Sequence, residues 1–278
     1  MYRIVAIIGP TASGKSVKAI ELALERGGEV ISVDSRQVYR TLDIGTEKLS
    51  SKEMRNVPHY LIDIREPEES YSAGEFLNDA TRLIEEISSR GKLPILAGGT
   101  HFYFDALLNG IPQSGTPNPQ LRAELQKLSV EELFARLQAL DPRRAERIDA
   151  QNPRRLVRAL ELIGEFGMVP ERPENESRYD VEWVVIDPPR EELRTRIDSR
   201  LKNAFERGLM DEVSIVRERV GDARLNEFGL EYRVVGECLR EEREEASLLP
   251  VLSAKLWHFA KHQKSWLKRL AKGDSITS

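Results

Sequence analysis

Two kinds of segment alternate along the first hundred residues of the chain. Short apolar runs at residues 3–8, 29–34, 59–64 and 93–98 have the length and β-branched content of buried strands. Apolar residues at helical spacing lie between them, at 15–24 and 73–89. Another strand pattern follows at 181–187. Because alternating strands and helices build a parallel sheet covered by helices, the sequence predicts a doubly wound α/β fold.

The pattern changes between residues 112 and 180, where polar, arginine-rich helical segments replace the alternation. Proline and polar residues flank this region on both sides, in IPQSGTPNP and VPERPENESRYD. Such clusters are typical of domain boundaries. We therefore predict a core formed by residues 1–111 and 181–278, with a helical subdomain inserted at 112–180.

Length and composition exclude several classes of protein. The chain has 278 residues, enough to bury a sizeable core, and it has no apolar stretch long enough to cross a membrane and no secretory leader pattern. We therefore expect a cytoplasmic protein with no membrane partner. A single cysteine, Cys238, allows neither an internal disulfide nor a cysteine-based zinc site.

Charge is segregated along the chain although the net charge is only −4. Residues 255–272 combine basic side chains with tryptophan and phenylalanine, and further arginines cluster between 143 and 158. Such patches suit a polyanion such as a nucleic acid, but solvated helix faces have the same composition. Both interpretations remain open at this point.

The most specific local signal is GPTASGKS, which matches the P-loop pattern between a predicted strand and a predicted helix. Its backbone N–H groups, the helix N-terminus and the lysine can bind a diphosphate, and the final serine hydroxyl can bind Mg²⁺. The predicted fold is therefore P-loop NTPase-like. The predicted diphosphate-binding residues are Gly9, Pro10, Thr11, Ala12, Ser13, Gly14, Lys15 and Ser16.

The P-loop does not identify the diphosphate compound. ATPases and GTPases normally have an acidic residue after a second apolar strand, where it helps to hold Mg²⁺. Here the run 93–98 leads instead into Gly99 and Thr100. Asp34 could serve as that acid, but its hydrogen-bonding neighbours Ser35 and Gln37 are better suited to reading a substrate. Motors and switches are disfavoured, while a small-molecule kinase remains possible.

Several segments, taken together and in order, resemble the bacterial-type tRNA dimethylallyltransferases, also called tRNA isopentenyltransferases. They are GPTASGKS, DSRQVYR, PHYLIDI, GGTHFYFDALLNG, NPRRLVRALE and AKHQKSWLKR. The resemblance implies transfer of a dimethylallyl group from dimethylallyl diphosphate to N6 of the adenine 3′-adjacent to a tRNA anticodon, with release of pyrophosphate. The P-loop would then hold an isoprenoid diphosphate with Mg²⁺.

The resemblance also implies roles for individual residues. Asp34 would be the base that orients and deprotonates the amine, Thr100 would lie beside the reacting centre, and Arg200 would bind the diphosphate. The inserted subdomain would contact the tRNA anticodon stem-loop. The implied tRNA-binding residues are Asp34, Ser35, Arg36, Gln37, Thr100, Arg122, Arg154, Arg155, Leu156, Val157 and Arg158. His262 departs from the family pattern, as does the acidic stretch 237–245.

Three other functions remain compatible with the residues. They are a P-loop kinase of a nucleotide or small metabolite, a prenyltransferase of free adenine nucleotides, and a catalytically silent RNA-binding module. A kinase would leave the basic C-terminal segment without a role. We expect a monomer, and we interpret His59 and His101 as packed side chains rather than metal ligands, because no second ligand is suitably spaced.

Overall fold

The computed structural model describes residues 1–112, 118–171 and 178–271. One parallel sheet contains β1 (Tyr2–Ile8), β2 (Gly28–Ser32), β3 (His59–Tyr60), β4 (Leu93–Ala97) and β5 (Tyr179–Val185). The strand order is β3-β2-β4-β1-β5, so β4 lies between β1 and β2. The predicted α/β fold with a parallel sheet is confirmed.

Two strands are shorter than their apolar runs. The run at 59–64 was predicted as a strand, but only two of its residues pair with β2. Leu61 and Asp63 have φ values of 61° and 55°, which end the extended backbone. β2 ends at Ser32, so Asp34 lies beyond the strand, in the turn that follows it.

Helices cover the sheet where the periodicity predicts them. The first is α1 (Lys15–Arg26), which follows β1, and the second is α2 (Ala73–Ser89). α2 begins at a capping box in which the Ser72 hydroxyl accepts from the Glu75 backbone N–H and the Glu75 carboxylate accepts from Ser72. α3 (His101–Asn109) starts just after β4. Residues 4–8 of β1 are buried, which places β1 in the core.

Most of the described chain after β5 is helical. It forms α8 (Arg190–Glu206), α9 (Leu209–Leu225), α10 (Leu230–Leu239), a short 3₁₀ turn at Glu245–Ser247 and α11 (Leu248–Ala271). Apolar side chains from these helices build a second core with residues of the segment after β2, including Tyr39 and Leu42. Within the described residues, no helix combines the length and apolar character needed to cross a bilayer.

The chain divides into two compact units. The described residues of 1–108 and 178–271 form one unit, and the described residues between 109 and 171 form the other. The second unit contains α4 (Pro119–Leu125), α5 (Val130–Leu140), α6 (Pro142–Ala145) and α7 (Pro153–Phe166). Its own apolar core includes Leu133, Leu137 and Leu160.

A single carboxylate anchors the loop that follows β2. Glu212 Oε2 accepts from the backbone N–H groups of Asp43 (2.9 Å) and Ile44 (2.6 Å), and Oε1 accepts from Gly45 N–H (2.9 Å). The Tyr232 hydroxyl donates to the same Oε1 at 2.7 Å. Because three consecutive backbone donors depend on it, Glu212 fixes the conformation of residues 43–45.

We expect Glu212→Ala to lower the free energy of unfolding by about 2 kcal/mol, because hydrogen bonds to a charged acceptor are lost together. Thermal and urea denaturation would measure the change. The matched control is Glu218→Gln, which alters an exposed glutamate of the same helix. Equal stability of the two variants would contradict the anchoring role.

Candidate active site

The P-loop joins β1 to α1 in a backbone path that requires glycine. Gly14 has φ 95°, in the left-handed region, and immediately precedes the first residue of α1. A Cβ at Gly9 would lie 2.5 Å from the Ile186 carbonyl oxygen and 2.7 Å from Ser13 Oγ. The loop therefore packs too closely for a side chain at position 9, while the N-terminus of α1 adds positive potential suited to an anion.

Lys15 points back onto this loop. Its Nζ donates to the Pro10 carbonyl oxygen at 2.7 Å. Burial lowers the pKa of Lys15 to about 8; the Asp34 carboxylate opposes this shift and the Arg200 guanidinium adds to it. A bound diphosphate would place negative charge beside this ammonium and so favour its protonated form.

Because the pKa of Lys15 is about 8, the affinity for a diphosphate ester should fall as the pH rises from 7 to 9. The sign follows because the anion binds the protonated lysine better, so raising the pH through the pKa of the free protein removes the attraction. Titration calorimetry with an unreactive diphosphate ester would measure the profile. Lys15→Arg, which stays charged, should flatten it; parallel profiles for the two proteins would contradict this assignment.

Arg200 on α8 reaches the same loop. Its Nη1 donates to Thr11 Oγ1 at 2.5 Å, and its Nη2 donates to Glu231 Oε1 at 3.0 Å. Burial raises the pKa of Glu231 although Arg200 opposes the shift. One turn before Arg200, Arg196 donates to the Ser13 carbonyl oxygen at 2.9 Å. The predicted diphosphate-binding arginine therefore lies at the P-loop, in the same unit.

Asp34 and Thr100 lie at the ends of neighbouring strands. β2 and β4 pair in parallel up to Ser32 and Ala97, so the segments that follow leave the same edge of the sheet. Thr100 Oγ1 accepts from Ser35 N–H at 3.0 Å, and Thr100 N–H donates to the Val33 carbonyl oxygen at 3.1 Å. The two predicted catalytic residues are thus brought together.

The Asp34 carboxylate has one oxygen committed to its own turn. Oδ1 accepts from Arg36 N–H at 2.8 Å and from Gln37 N–H at 3.4 Å. Within the described residues, both hydrogen bonds to this carboxylate end on Oδ1. The turn fixes the orientation of the side chain, and Oδ2 retains its capacity to accept a proton or a hydrogen bond.

Gln37 was predicted to read a base, but its amide is occupied by protein groups. Oε1 accepts from the Ser32 hydroxyl at 3.0 Å, and Nε2 donates to the carbonyl oxygens of Thr46 (3.1 Å) and Glu47 (3.4 Å). These bonds join the end of β2 to the loop held by Glu212. A base contact by Gln37 would require exchange of these bonds, and its role in reading a base remains a prediction.

Two residues at the site were not found from the sequence. Gln263 on α11 accepts from Thr11 N–H at 2.7 Å and donates to the Gly99 carbonyl oxygen at 3.2 Å. Glu231 is the partner of Arg200. Both contacts join residues far apart in the chain, and the only signal available was that Gln263 lies within one of the family-like segments, AKHQKSWLKR.

His101 is packed, as predicted. Its ring stacks on Trp266 with centroids 3.9 Å apart and an interplanar angle of 5°. Burial, with a contribution from Lys15, lowers the pKa of His101 to about 4, so the ring is neutral at physiological pH. Its Nε2 is buried without a hydrogen-bond partner among the described residues.

In the second unit, a buried glutamate holds two of the predicted tRNA-binding arginines. Arg122 forms a bidentate pair with Glu161, with N–O distances of 2.6 and 2.8 Å, and Arg158 Nη1 lies 3.3 Å from Glu161 Oε2. The side chain of Glu161 is only 4% exposed. Glu161 thus orients the guanidinium groups of both arginines, and each arginine side chain stays partly exposed.

Two of the residues predicted to contact tRNA along 154–158 have buried side chains. Leu156 and Val157 have 0% and 7% exposure and pack in the core of the unit. They face inward because α7 is amphipathic, so their side chains are not available to RNA. Arg154 and Arg155 at the start of the helix are exposed.

The Ser16 hydroxyl is the predicted protein ligand of Mg²⁺. Ser16 is exposed in the first turn of α1, directly after Lys15. No cluster of three histidine, cysteine or acidic side chains that could enclose a metal occurs in the part of the chain that the structure describes. Mg²⁺ typically keeps several waters and binds one or two protein oxygens plus phosphate oxygens, so a hydroxyl beside a diphosphate loop fits it.

The sheet and the glycine-rich loop between β1 and α1 define a protein of the P-loop class. A family model described as IPP transferase matches residues 37–270, and the chain belongs to this family. The match begins after Asp34, so the P-loop and Asp34 lie outside the residues that this family model covers.

Relatives match almost the whole chain. A tRNA dimethylallyltransferase from Thermomicrobium roseum is 42% identical over 96% of this chain and 84% of that protein. One from Levilactobacillus brevis is 38% identical over 96% and 90%. The solved full-length tRNA isopentenylpyrophosphate transferase of Bacillus halodurans has a TM-score of 0.73, 35% identity and coverage of 96% and 87%. A eukaryotic dimethylallyltransferase solved acting on tRNA gives a TM-score of 0.85 at 25% identity, with 99% and 73% covered.

Proposed function

We propose that this chain is a tRNA dimethylallyltransferase. It transfers the dimethylallyl group of dimethylallyl diphosphate to N6 of the adenine 3′-adjacent to the anticodon and releases pyrophosphate. The observation that carries the proposal is the placement of Asp34 and Thr100 together at one edge of the sheet, in the same unit as a P-loop contacted by Arg200. The names of relatives that match almost the whole chain support dimethylallyl transfer to tRNA.

The reaction forms a bond between N6 and the first carbon of the dimethylallyl group while the bond from that carbon to the diphosphate oxygen breaks. Negative charge grows on the leaving diphosphate. Lys15, Arg200 and the N-terminus of α1 meet this charge where it develops, which lowers the barrier. Their positions follow from the contacts of both side chains with the P-loop.

The exocyclic amine of adenine is a poor nucleophile, because its lone pair is delocalised into the ring. A carboxylate within hydrogen-bond reach orients it and accepts its proton as the new bond forms. Asp34 supplies that carboxylate through Oδ2, since Oδ1 is held by its own turn. The Thr100 hydroxyl is fixed beside it by Ser35 N–H.

Ser16 would hold Mg²⁺ against the diphosphate. When bound, the ion would neutralise charge on the phosphate oxygens and make the diphosphate a better leaving group. The adenine must leave the base stack of the anticodon loop to reach Asp34, at a cost of a few kcal/mol. The exposed Arg154 and Arg155 would bind the phosphates of the anticodon stem-loop and help to offset that cost.

The reaction can be tested with unmodified tRNA and the purified protein. Nucleoside mass analysis after incubation with dimethylallyl diphosphate should detect adenosine carrying one dimethylallyl group at the position next to the anticodon. Parallel reactions contain ATP in place of the prenyl donor, or AMP in place of tRNA. Phosphate transfer from ATP would favour the kinase, and equal turnover of AMP would favour the prenyltransferase of free nucleotides. Either result would contradict the proposal.

Arg155→Ala is expected to weaken tRNA binding several-fold and to reduce the dependence of log affinity on log salt by about one. The loss of one phosphate contact releases one fewer counterion, and this explains the change in slope. Filter binding at several salt concentrations would measure it. Arg136→Ala removes an exposed arginine of α5 in the same unit and serves as the control. The same slope for both variants would contradict a specific role for Arg155.

A further inference from the structure

Gln263 connects two loops of the proposed active site that are distant in sequence. Its side-chain oxygen accepts from the backbone N–H of Thr11 in the P-loop at 2.7 Å. Its side-chain nitrogen donates to the carbonyl oxygen of Gly99, after β4, at 3.2 Å. Gln263 itself is only 4% exposed, so water has little access to its side-chain amide.

The pairing uses the particular chemistry of a primary amide. A backbone N–H and a backbone C=O must each find a partner when they are buried. Glutamine offers an acceptor and a donor at the end of one side chain, and so it can satisfy both groups at once. Glycine at position 99 makes room for it, since a Cβ there would lie 2.9 Å from the Gln263 nitrogen.

Each end of this connection continues to a residue with a proposed chemical role. At the P-loop, Thr11 is held from its other side by Arg200, which donates to its hydroxyl at 2.5 Å. At the other end, Gly99 directly precedes Thr100, whose hydroxyl accepts from the Ser35 N–H next to Asp34. Gln263 therefore links the diphosphate side of the site to the side where the amine would react.

We propose that Gln263 is a positioning residue that fixes the separation between the diphosphate loop and the turns carrying Thr100 and Asp34. This inference rests on the proposed prenyl transfer. Gln263 touches backbone groups of the two loops, and it acts through them. When its bonds are removed, the loops can still bind their ligands, but the carbon and the amine no longer meet in the reactive geometry.

The test replaces Gln263 with methionine, which has a similar length and no hydrogen-bonding amide. Because small misplacements of reacting groups are costly, kcat should fall by about 10- to 100-fold. The KM for tRNA should stay within about twofold, since the RNA contacts are unchanged. Ser253→Ala is the matched control: it removes a 2.5 Å hydrogen bond between α11 and Asp198 on α8 and should leave kcat unchanged.

A second measurement separates positioning from simple destabilisation of α11. Thr100→Ala and Gln263→Met should be strongly non-additive in single-turnover rates if Gln263 acts through the Thr100 turn. Gln263→Asn keeps the amide on a shorter side chain and should show a smaller loss of kcat; it also replaces the methionine variant if that protein fails to fold. An unchanged kcat, or effects that simply multiply, would overturn the inference. If the unsubstituted protein itself fails to modify tRNA, the proposed function is what has failed.

Discussion

Replacing Asp34 with asparagine is expected to lower the rate of dimethylallyl transfer by about 10²- to 10⁴-fold, the range typical of a lost general base. Asparagine keeps a side-chain oxygen that can accept from Arg36 N–H, so the turn after β2 should retain its shape. Only the negative charge and the proton-accepting capacity are lost. Single-turnover rates at saturating tRNA and donor would measure the effect on the chemical step.

Binding measurements distinguish this chemical role from a structural one. The affinity of Asp34→Asn for tRNA should remain close to that of the unsubstituted protein. Asp34→Ala removes the turn's acceptor as well as the base, so it should add a loss of stability to the same loss of rate. A normal rate for the asparagine variant would remove Asp34 from the mechanism, whatever the alanine variant does.

Gly98→Ala is expected to cost about 3 kcal/mol of stability or more and to abolish most activity, because overpacking between fixed backbone segments is poorly relieved. A Cβ at position 98 would overlap the carbonyl oxygen of Val33, the residue that directly follows β2. That same oxygen accepts from Thr100 N–H. The substitution should therefore separate the two turns that carry Asp34 and Thr100.

The control for this substitution is Gly91→Ala. Gly91 has φ 69° and nothing within 4 Å of its added Cβ, so alanine there should cost only about 1–2 kcal/mol of backbone strain. Urea denaturation would compare the two variants, and transfer assays would follow activity. If Gly98→Ala were no more damaging than Gly91→Ala, close contact of the strand ends would not be needed for the site.

Local patterns in the sequence predicted the parts of the molecule that depend on neighbouring residues. The P-loop is contiguous, and its glycines have a direct geometric purpose, so roles for Gly9, Lys15 and Ser16 could be proposed without knowing the fold. The helix at 73–89 was predicted with the bounds that the structure has, since its cap and its periodicity are both local. The positive φ of Leu61 ends β3 after two residues, and no local sequence pattern indicated this.

Contacts between distant residues could not be predicted in the same way. Thr11 and Gln263 are separated by more than two hundred positions, and only the packing of α11 brings them together. The sequence shows the arginines near residue 155 as a cluster. It does not show that the side chains of Leu156 and Val157, in the same predicted tRNA-binding segment, face the core of the unit. The pairing of Arg122 with Glu161 likewise depends on how α4 and α7 pack.

The strand order places β4 between the two strands that lead to the proposed active-site residues. β1 leads to the P-loop and β2 leads to Asp34, and these two strands are separated by β4 alone. Neighbouring strands lie about 4.8 Å apart, so the two strands stand roughly 10 Å from each other. The proposed reaction needs a comparable distance, because it aligns a phosphate, the transferred carbon, the amine and the carboxylate that accepts the amine's proton. The separation of β1 and β2 that β4 imposes would thus match the distance that the proposed reaction needs between the diphosphate and the Asp34 carboxylate.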